Sequence, residues 1–170
     1  MSPIDIRTGD SEPNKSEKLP IVIILDRLRS AHNVGNIFRL AEICQVKKII
    51  CCGYTACPPH PKLEKTAMAC DQLVESEHFD DASEAVESLK KEGYKVLAVE
   101  TVKDAPLYWN VNFELPVALV FGNEALGIQE ETLNECDAFI QLPVYGFKNS
   151  LNVGNTAAVI LYKIMEQIKK

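Results

Sequence analysis

From Ile21 onward, short apolar runs alternate with stretches that are apolar on one face only. IVIIL (21–25), KKIICC (47–52), KVLAVE (95–100), VALVF (117–121) and AFIQL (138–142) read as strands, VALVF as a buried one, and LVESEHF (73–79) as an exposed one. Between them the spacing predicts helices near 33–44, 62–69, 80–92 and 128–135, and a last helix from about 152. Ile37, Leu40, Ala41 and Cys44 recur at i, i+3, i+4, i+7, as do Ala82, Ala85, Val86 and Leu89, in a helix that closes at Gly93. Each of these helices has one core stripe. The last helix has two, with Val153, Ala157, Ile160, Leu161, Ile164 and Ile168 on one and Ala158, Tyr162 and Met165 beside it. So wide an arc needs cover on both sides, from the sheet and from a second subunit, or from deeper burial in its own domain. The alternation of elements implies an α/β fold with a mostly parallel sheet flanked by helices.

Composition fits one globular catalytic domain: 170 residues, 46% hydrophobic and 25% charged. No apolar run approaches the roughly 18 residues of a membrane span. Residues 1–19 are polar, carry Pro3, Gly9 and Pro13, and read as a flexible N-terminal arm ahead of a domain over 20–170. The arm has no apolar signal core, so the cytoplasm is the expected location. Six cysteines, at 44, 51, 52, 57, 70 and 136, match neither a zinc ribbon nor a disulfide framework and read as reduced thiols, with no metal expected.

A net charge of −6 argues against a uniformly basic nucleic-acid surface, but the average hides an asymmetry. Between Arg27 and Lys65 the balance is +5, leaving −11 on the remainder. Arg27, Arg29, His60, Lys62 and Lys65 are therefore candidates for phosphate contacts.

Ligands of open α/β sheets collect beyond the carboxyl ends of strands, and three loops in such places concentrate polar groups and glycines. LDRLRSAHNVGNIFRLA follows the first strand. In it Asn33 is placed as a helix N-cap, Gly35 permits close backbone approach, and Asn36 and Arg39 share the face away from the apolar stripe. VALVFGNEALGI runs straight into Gly122, Asn123, Glu124 and Gly127. FIQLPVYGFKNSLNVGNTAAVILY brings Ser150, Asn152, Gly154 and Asn155 to the start of the last helix, where free amides form a binding edge. No G-x-G-x-x-G, Walker A lysine loop or G-x-S-x-G elbow is present.

These three segments, in order, resemble the three motifs of the SpoU, or TrmH, family of the SPOUT superfamily, over residues 20–170. NVGNIFR is similar to the first motif, FGNEALGI to the second and LPVYGFKNSLNVGNTAAVILY to the third. The resemblance implies a SPOUT α/β-knot with a C-terminal deep trefoil, bent S-adenosyl-L-methionine held at Glu100, Thr101, Gly122, Ile140, Leu142 and Leu151, and polar active-site positions at Asn33, Arg39, Glu124, Ser150 and Asn152. One departure is Gly154, where many members carry serine.

The activity so implied is methyl transfer to a ribose 2′-hydroxyl of tRNA or rRNA by in-line displacement, in a homodimer, with neither DNA nor a membrane as partner. Family assignment makes Arg39 the group that activates the hydroxyl. A guanidinium of pKa about 12.5 or above is a poor base, so phosphate anchoring is the alternative role. The rival functions are a catalytically silent RNA-binding or ribosome-assembly module, and an enzyme acting on another substrate.

Overall fold

The computed structural model describes residues 17–169. The arm expected over 1–19 lies outside them as far as residue 16.

Six strands, β1 (Leu19–Asp26), β2 (Val46–Cys52), β3 (Glu75–Phe79), β4 (Lys95–Val99), β5 (Val117–Gly122) and β6 (Ala138–Ile140), form one sheet in the order β3-β2-β1-β5-β4-β6. Every pairing is parallel. The helices are α1 (Ala31–Ile43), α2 (Pro61–Ala67), α3 (Cys70–Leu73), α4 (Ala82–Lys91), α5 (Glu130–Glu135) and α6 (Val153–Ile168). The expected α/β class is observed.

Strand β1 is apolar at every position from Ile21 to Leu25 because helices cover both its faces. Ile21, Ile23 and Leu25 pack with α1, α2 and α6, whereas Val22 and Ile24 pack with α4. Along the sheet, sequence order reverses at the β1–β5 pair, since β2 and β3 extend to one side and β5, β4 and β6 to the other. Asp26 is in register with both Cys52 and Gly122. The loops leaving β1, β2 and β5 are thus neighbours at the switch point, where ligands of such sheets bind.

Two details differ from the sequence expectation. The helix expected near 62–69 is α2, which stops at Ala67 because Met68 and Ala69 take left-handed φ values of 51° and 68°, and an unexpected short helix, α3, follows. The N-cap of α1 is Ser30, whose side chain accepts the Asn33 N–H at 3.2 Å. Asn33 therefore sits inside the first turn, and its amide is left for other contacts.

Gly35 has the close approach anticipated for it. A Cβ there would strike the Thr66 side chain and lie 2.9 Å from the Ala67 nitrogen, so α2 crosses α1 at this point. In α6 the first stripe is buried from Val153 to Ile164, while Tyr162 of the second stripe is 56% exposed.

Candidate functional site

The sequence-predicted loops meet through side chains that bind backbone. Asp26, fully buried at the end of β1, accepts Gln129 N–H at 2.9 Å and Arg27 Nε–H at 3.0 Å. Arg27 Nη2 also donates to the Gly127 carbonyl at 3.4 Å. This arginine, a phosphate candidate from the sequence, is instead largely neutralised within the fold. Arg29, Lys62 and Lys65 remain exposed, whereas His60 is half-buried with its Nδ1 enclosed and unpartnered among the described residues.

Asn33 links all three motifs. Only 8% exposed, it donates from Nδ2 to Glu124 Oε1 at 3.0 Å and accepts from Asn152 Nδ2 at 3.2 Å on Oδ1. Glu124 also accepts the backbone N–H of Arg29 at 3.0 Å and of Ser30 at 3.3 Å. Burial pushes the Glu124 carboxyl up, but the Arg29 amide, the Asn33 side chain and the Ser30 amide outweigh it and hold the group below its ordinary range. Asn152 in turn caps α6, accepting the N–H groups of Gly154 and Asn155 at 2.9 and 3.3 Å. Both Glu124 and Asn152 are thus engaged in fixing loops. Gly154 belongs to the same cap: a Cβ there would lie 3.2 Å from Asn152 Oδ1 and 3.9 Å from Asn36 Cβ.

Beside this junction lies a cleft of about 1130 Å³ between the ends of β4 and β5 and the segment 141–153. Glu100, Thr101, Gly122, Leu142 and Leu151 line it, as do Glu124, Ser150 and Asn152. Ile140 lies beneath, 1% exposed, with its carbonyl accepting the Glu100 N–H at 3.1 Å. The Glu100 carboxylate accepts Thr101 N–H at 3.0 Å and Ile128 N–H at 3.2 Å, clamping the cleft wall. No side chain fits at 122, because a Cβ would strike the Gly127 carbonyl carbon and the Ile128 nitrogen.

Arg39 is not brought to the cleft. It is exposed on α1, with no hydrogen bond or ion pair among the described residues, on the face it shares with Asn36.

Asn123 and Thr55 were not singled out for a role in the sequence. Asn123 Nδ2 donates to the Arg27 carbonyl at 2.7 Å and to Tyr54 Oη at 2.9 Å, and its Oδ1 accepts the Ala125 and Leu126 amides. Thr55 Oγ1 donates to Leu25 O at 3.0 Å and accepts Leu28 N–H at 2.9 Å. A polar residue just past an apolar strand is the available signal, but it does not name a partner 27 to 96 residues away.

The arrangement can hold a ligand of nucleoside size against backbone edges while exposing polar groups at one end. Among known proteins, the SpoU rRNA Methylase family matches residues 20–162. A protein of Staphylococcus haemolyticus named for the TrmH family of tRNA/rRNA methyltransferases is 29% identical over 148 residues, which are 87% of this chain and 59% of the relative. The chain thus spans about three fifths of the length of the curated relatives it matches. Among solved structures, the SpoU methyltransferase AviRb of Streptomyces viridochromogenes, in complex with the cofactor AdoMet, superposes with TM-score 0.79 at 22% identity, over 93% of this chain and 64% of that one. An RNA 2′-O ribose methyltransferase superposes with TM-score 0.79 at 21% identity, over 95% and 62%. With a six-stranded parallel sheet, three motif loops joined at Asn33 and a family match over most of its length, the chain belongs to the SpoU rRNA methylase family.

Proposed function

We propose that the chain transfers a methyl group from S-adenosyl-L-methionine to a ribose 2′-hydroxyl of tRNA or rRNA. The observation that carries this reading is the Asn33 bridge, which ties the polar ends of all three motif loops together at the rim of the cleft. The donor set fits the cofactor. Leu142 and Leu151 offer apolar contact, Thr101 and the Gly122 backbone offer polar edges, and the volume accommodates a nucleoside with an amino-acid tail. When bound, S-adenosyl-L-methionine supplies a sulfonium-activated methyl group. Glu100, Thr101, Gly122, Ile140, Leu142 and Leu151 form its site, with Glu100 also holding the wall through Ile128.

The chain's own contribution is alignment and proton management. Glu124, anionic and saturated with donors, orients the loop between β1 and α1, and Asn33 and Asn152 keep the start of α6 in register with it. Ser150 meets the ribose in this reading, which its exposure at the cleft supports. Arg39 anchors a phosphate of the RNA. Arg39 does not line the cleft of its own chain, and Tyr162 on α6 is exposed; both observations support a homodimer in which a second copy completes the surroundings of the site. The C-terminal trefoil knot belongs to the same proposal. It rests on the order of the three motif segments.

Calorimetric titration with S-adenosyl-L-methionine, followed by nucleoside mass spectrometry of tRNA and rRNA treated with the protein, tests the reading. The expected result is cofactor binding competed by S-adenosylhomocysteine and a new 2′-O-methyl nucleoside. Arg39→Ala slows transfer while cofactor binding survives. Absence of cofactor heat, or a methyl group found only on a base, would overturn it.

A further inference from the structure

Tyr54 stands in the loop after β2, outside all three motifs, and is 59% exposed. An exposed tyrosine is ordinarily a freely rotating surface group, but this one is fixed at its far end. Its Oη accepts from Asn123 Nδ2 at 2.9 Å, and Asn123 is the residue immediately before Glu124. The same Asn123 side chain receives the Leu126 N–H, and Leu126 is 71% exposed. Thr55, next in sequence, is tied to Leu25 and Leu28, so the segment is held both by Asn123 and by the end of β1 and the loop that follows it. Arg29 lies in the loop between β1 and α1, its backbone N–H held by Glu124, and its exposed side chain has no ion pair among the described residues. Arg27, by contrast, is consumed by Asp26. A rigid aromatic face, an apolar neighbour and an available cation are thus gathered around Glu124.

We infer that Tyr54 is a stacking platform for an unpaired nucleobase of the RNA substrate, with Arg29 taking an adjoining phosphate. The inference rests on the ribose-methylation reading and narrows its substrate class. In an A-form duplex each base has both faces covered by its neighbours and only the shallow minor groove is open, so a protein ring reaches a base only where the strand is looped or the nucleotide is turned out. A ring already fixed by Asn123 loses little freedom on stacking. The flanking Arg29 matches the charge of the backbone that accompanies the base.

The test uses the full chain and a short single-stranded RNA carrying 2-aminopurine, alone and annealed into a duplex. Single-strand binding with fluorescence quenching is expected for the wild type. Tyr54→Ala should weaken it about tenfold or more, a change characteristic of losing one stacked base. Tyr54→Phe, which keeps the ring and loses the Asn123 bond, should retain most of the binding. Duplex binding should be the same in all three proteins. If the alanine variant does not fold, Tyr54→Leu against Tyr54→Phe supplies the same comparison of aliphatic and aromatic faces.

Equal single-strand affinity in the wild type and the non-aromatic variant, or a phenylalanine variant as defective as alanine, would overturn the inference. So would a wild type that fails to bind the single strand. Cofactor titration separates the two levels of argument. A protein that binds no S-adenosyl-L-methionine yet quenches through Tyr54 refutes the methyltransferase reading alone, whereas normal cofactor binding with a silent Tyr54 refutes only the stacking.

Discussion

Asn33→Asp is the sharpest probe of the junction, because it changes one atom type and almost no volume. The Nδ2 donor that meets Glu124 Oε1 at 3.0 Å becomes a carboxylate oxygen facing another, while the contact from Asn152 Nδ2 can persist. Losing a hydrogen bond to a charged acceptor costs about 1.5–3 kcal/mol. Two carboxylate charges about 4 Å apart add between roughly 1 kcal/mol in a water-like medium and 4 kcal/mol at an effective dielectric of 20. Asn33 is buried but Glu124 reaches the surface, so the lower half of that range applies. The sum is about 3–5 kcal/mol, or very roughly 10 °C in Tm for a domain of this size. Asn33→Ala removes both hydrogen bonds but introduces no charge, and should cost about 2–3 kcal/mol.

The two variants separate by pH. Facing carboxyls share a proton, so their folded-state pKa is raised, and the extra penalty of Asn33→Asp is relieved as pH falls through that raised value. Urea unfolding at about pH 7.5 and pH 5 reads the difference. Asn33→Asp should be the less stable variant at the higher pH and should approach or pass Asn33→Ala at the lower. If Asn33→Asp matched the wild type at pH 7.5, or if the gap between variants ignored pH, the bridge would not be a determinant of the site.

Glu124 gives a second pH signature of opposite sense. Its folded pKa is depressed, so its contribution to stability is present above the ordinary value of 4.5 and is lost as pH falls below it. The stability difference between wild type and Glu124→Gln should therefore shrink from pH 6 to pH 3 in matched denaturation curves, and a constant difference would contradict the donor set assigned to it. Gly35→Ala should destabilise by about 1–3 kcal/mol, since the added methyl meets Thr66 and the Ala67 nitrogen, and thermal melting checks this. Cys57 should alkylate fastest of the six cysteines at neutral pH. A hydrogen bond from Cys51 lowers its pKa, burial opposes this and His78 assists, whereas burial pushes the half-exposed Cys70 upward. Cys57→Ser should remove the fast phase of iodoacetamide labelling followed by peptide mass spectrometry.

Periodicity made the strands, the longer helices and the layer class legible, because burial on one or two faces of a regular element writes itself into local sequence with period 2 or 3.6. IVIIL and VALVF read as strands for this reason, and they are the central parallel pair β1 and β5. The motif order identified the cleft-lining segments, and most of the residues carried over from the resemblance stand at the cleft or bind those that do. Boundaries set by backbone conformation were less visible. Nothing in KTAMACD marks Met68 and Ala69 as left-handed, since both are ordinary helix formers, and the break lies between two helices that both pack on α1. Residue type does not separate Asn33, expected as the cap, from Ser30, which is the cap in the structure, since both are good capping residues.

By itself, then, the sequence determined what is periodic or contiguous: an α/β chain with a buried parallel sheet, three polar loops at strand ends, and a local excess of positive charge. The tertiary structure decided how those loops are joined, and what each charged group is free to do. Asn33 and Asn152 are 119 residues apart and Arg29 and Glu124 are 95 apart, yet each pair is in hydrogen-bond contact. Arg27 and Arg29 look alike in the chain, but Asp26 neutralises the first while the second faces solvent. A hydrogen bond reaches only about 3 Å and depends on direction, so it is specified by the placement of strands in the sheet and not by spacing along the chain.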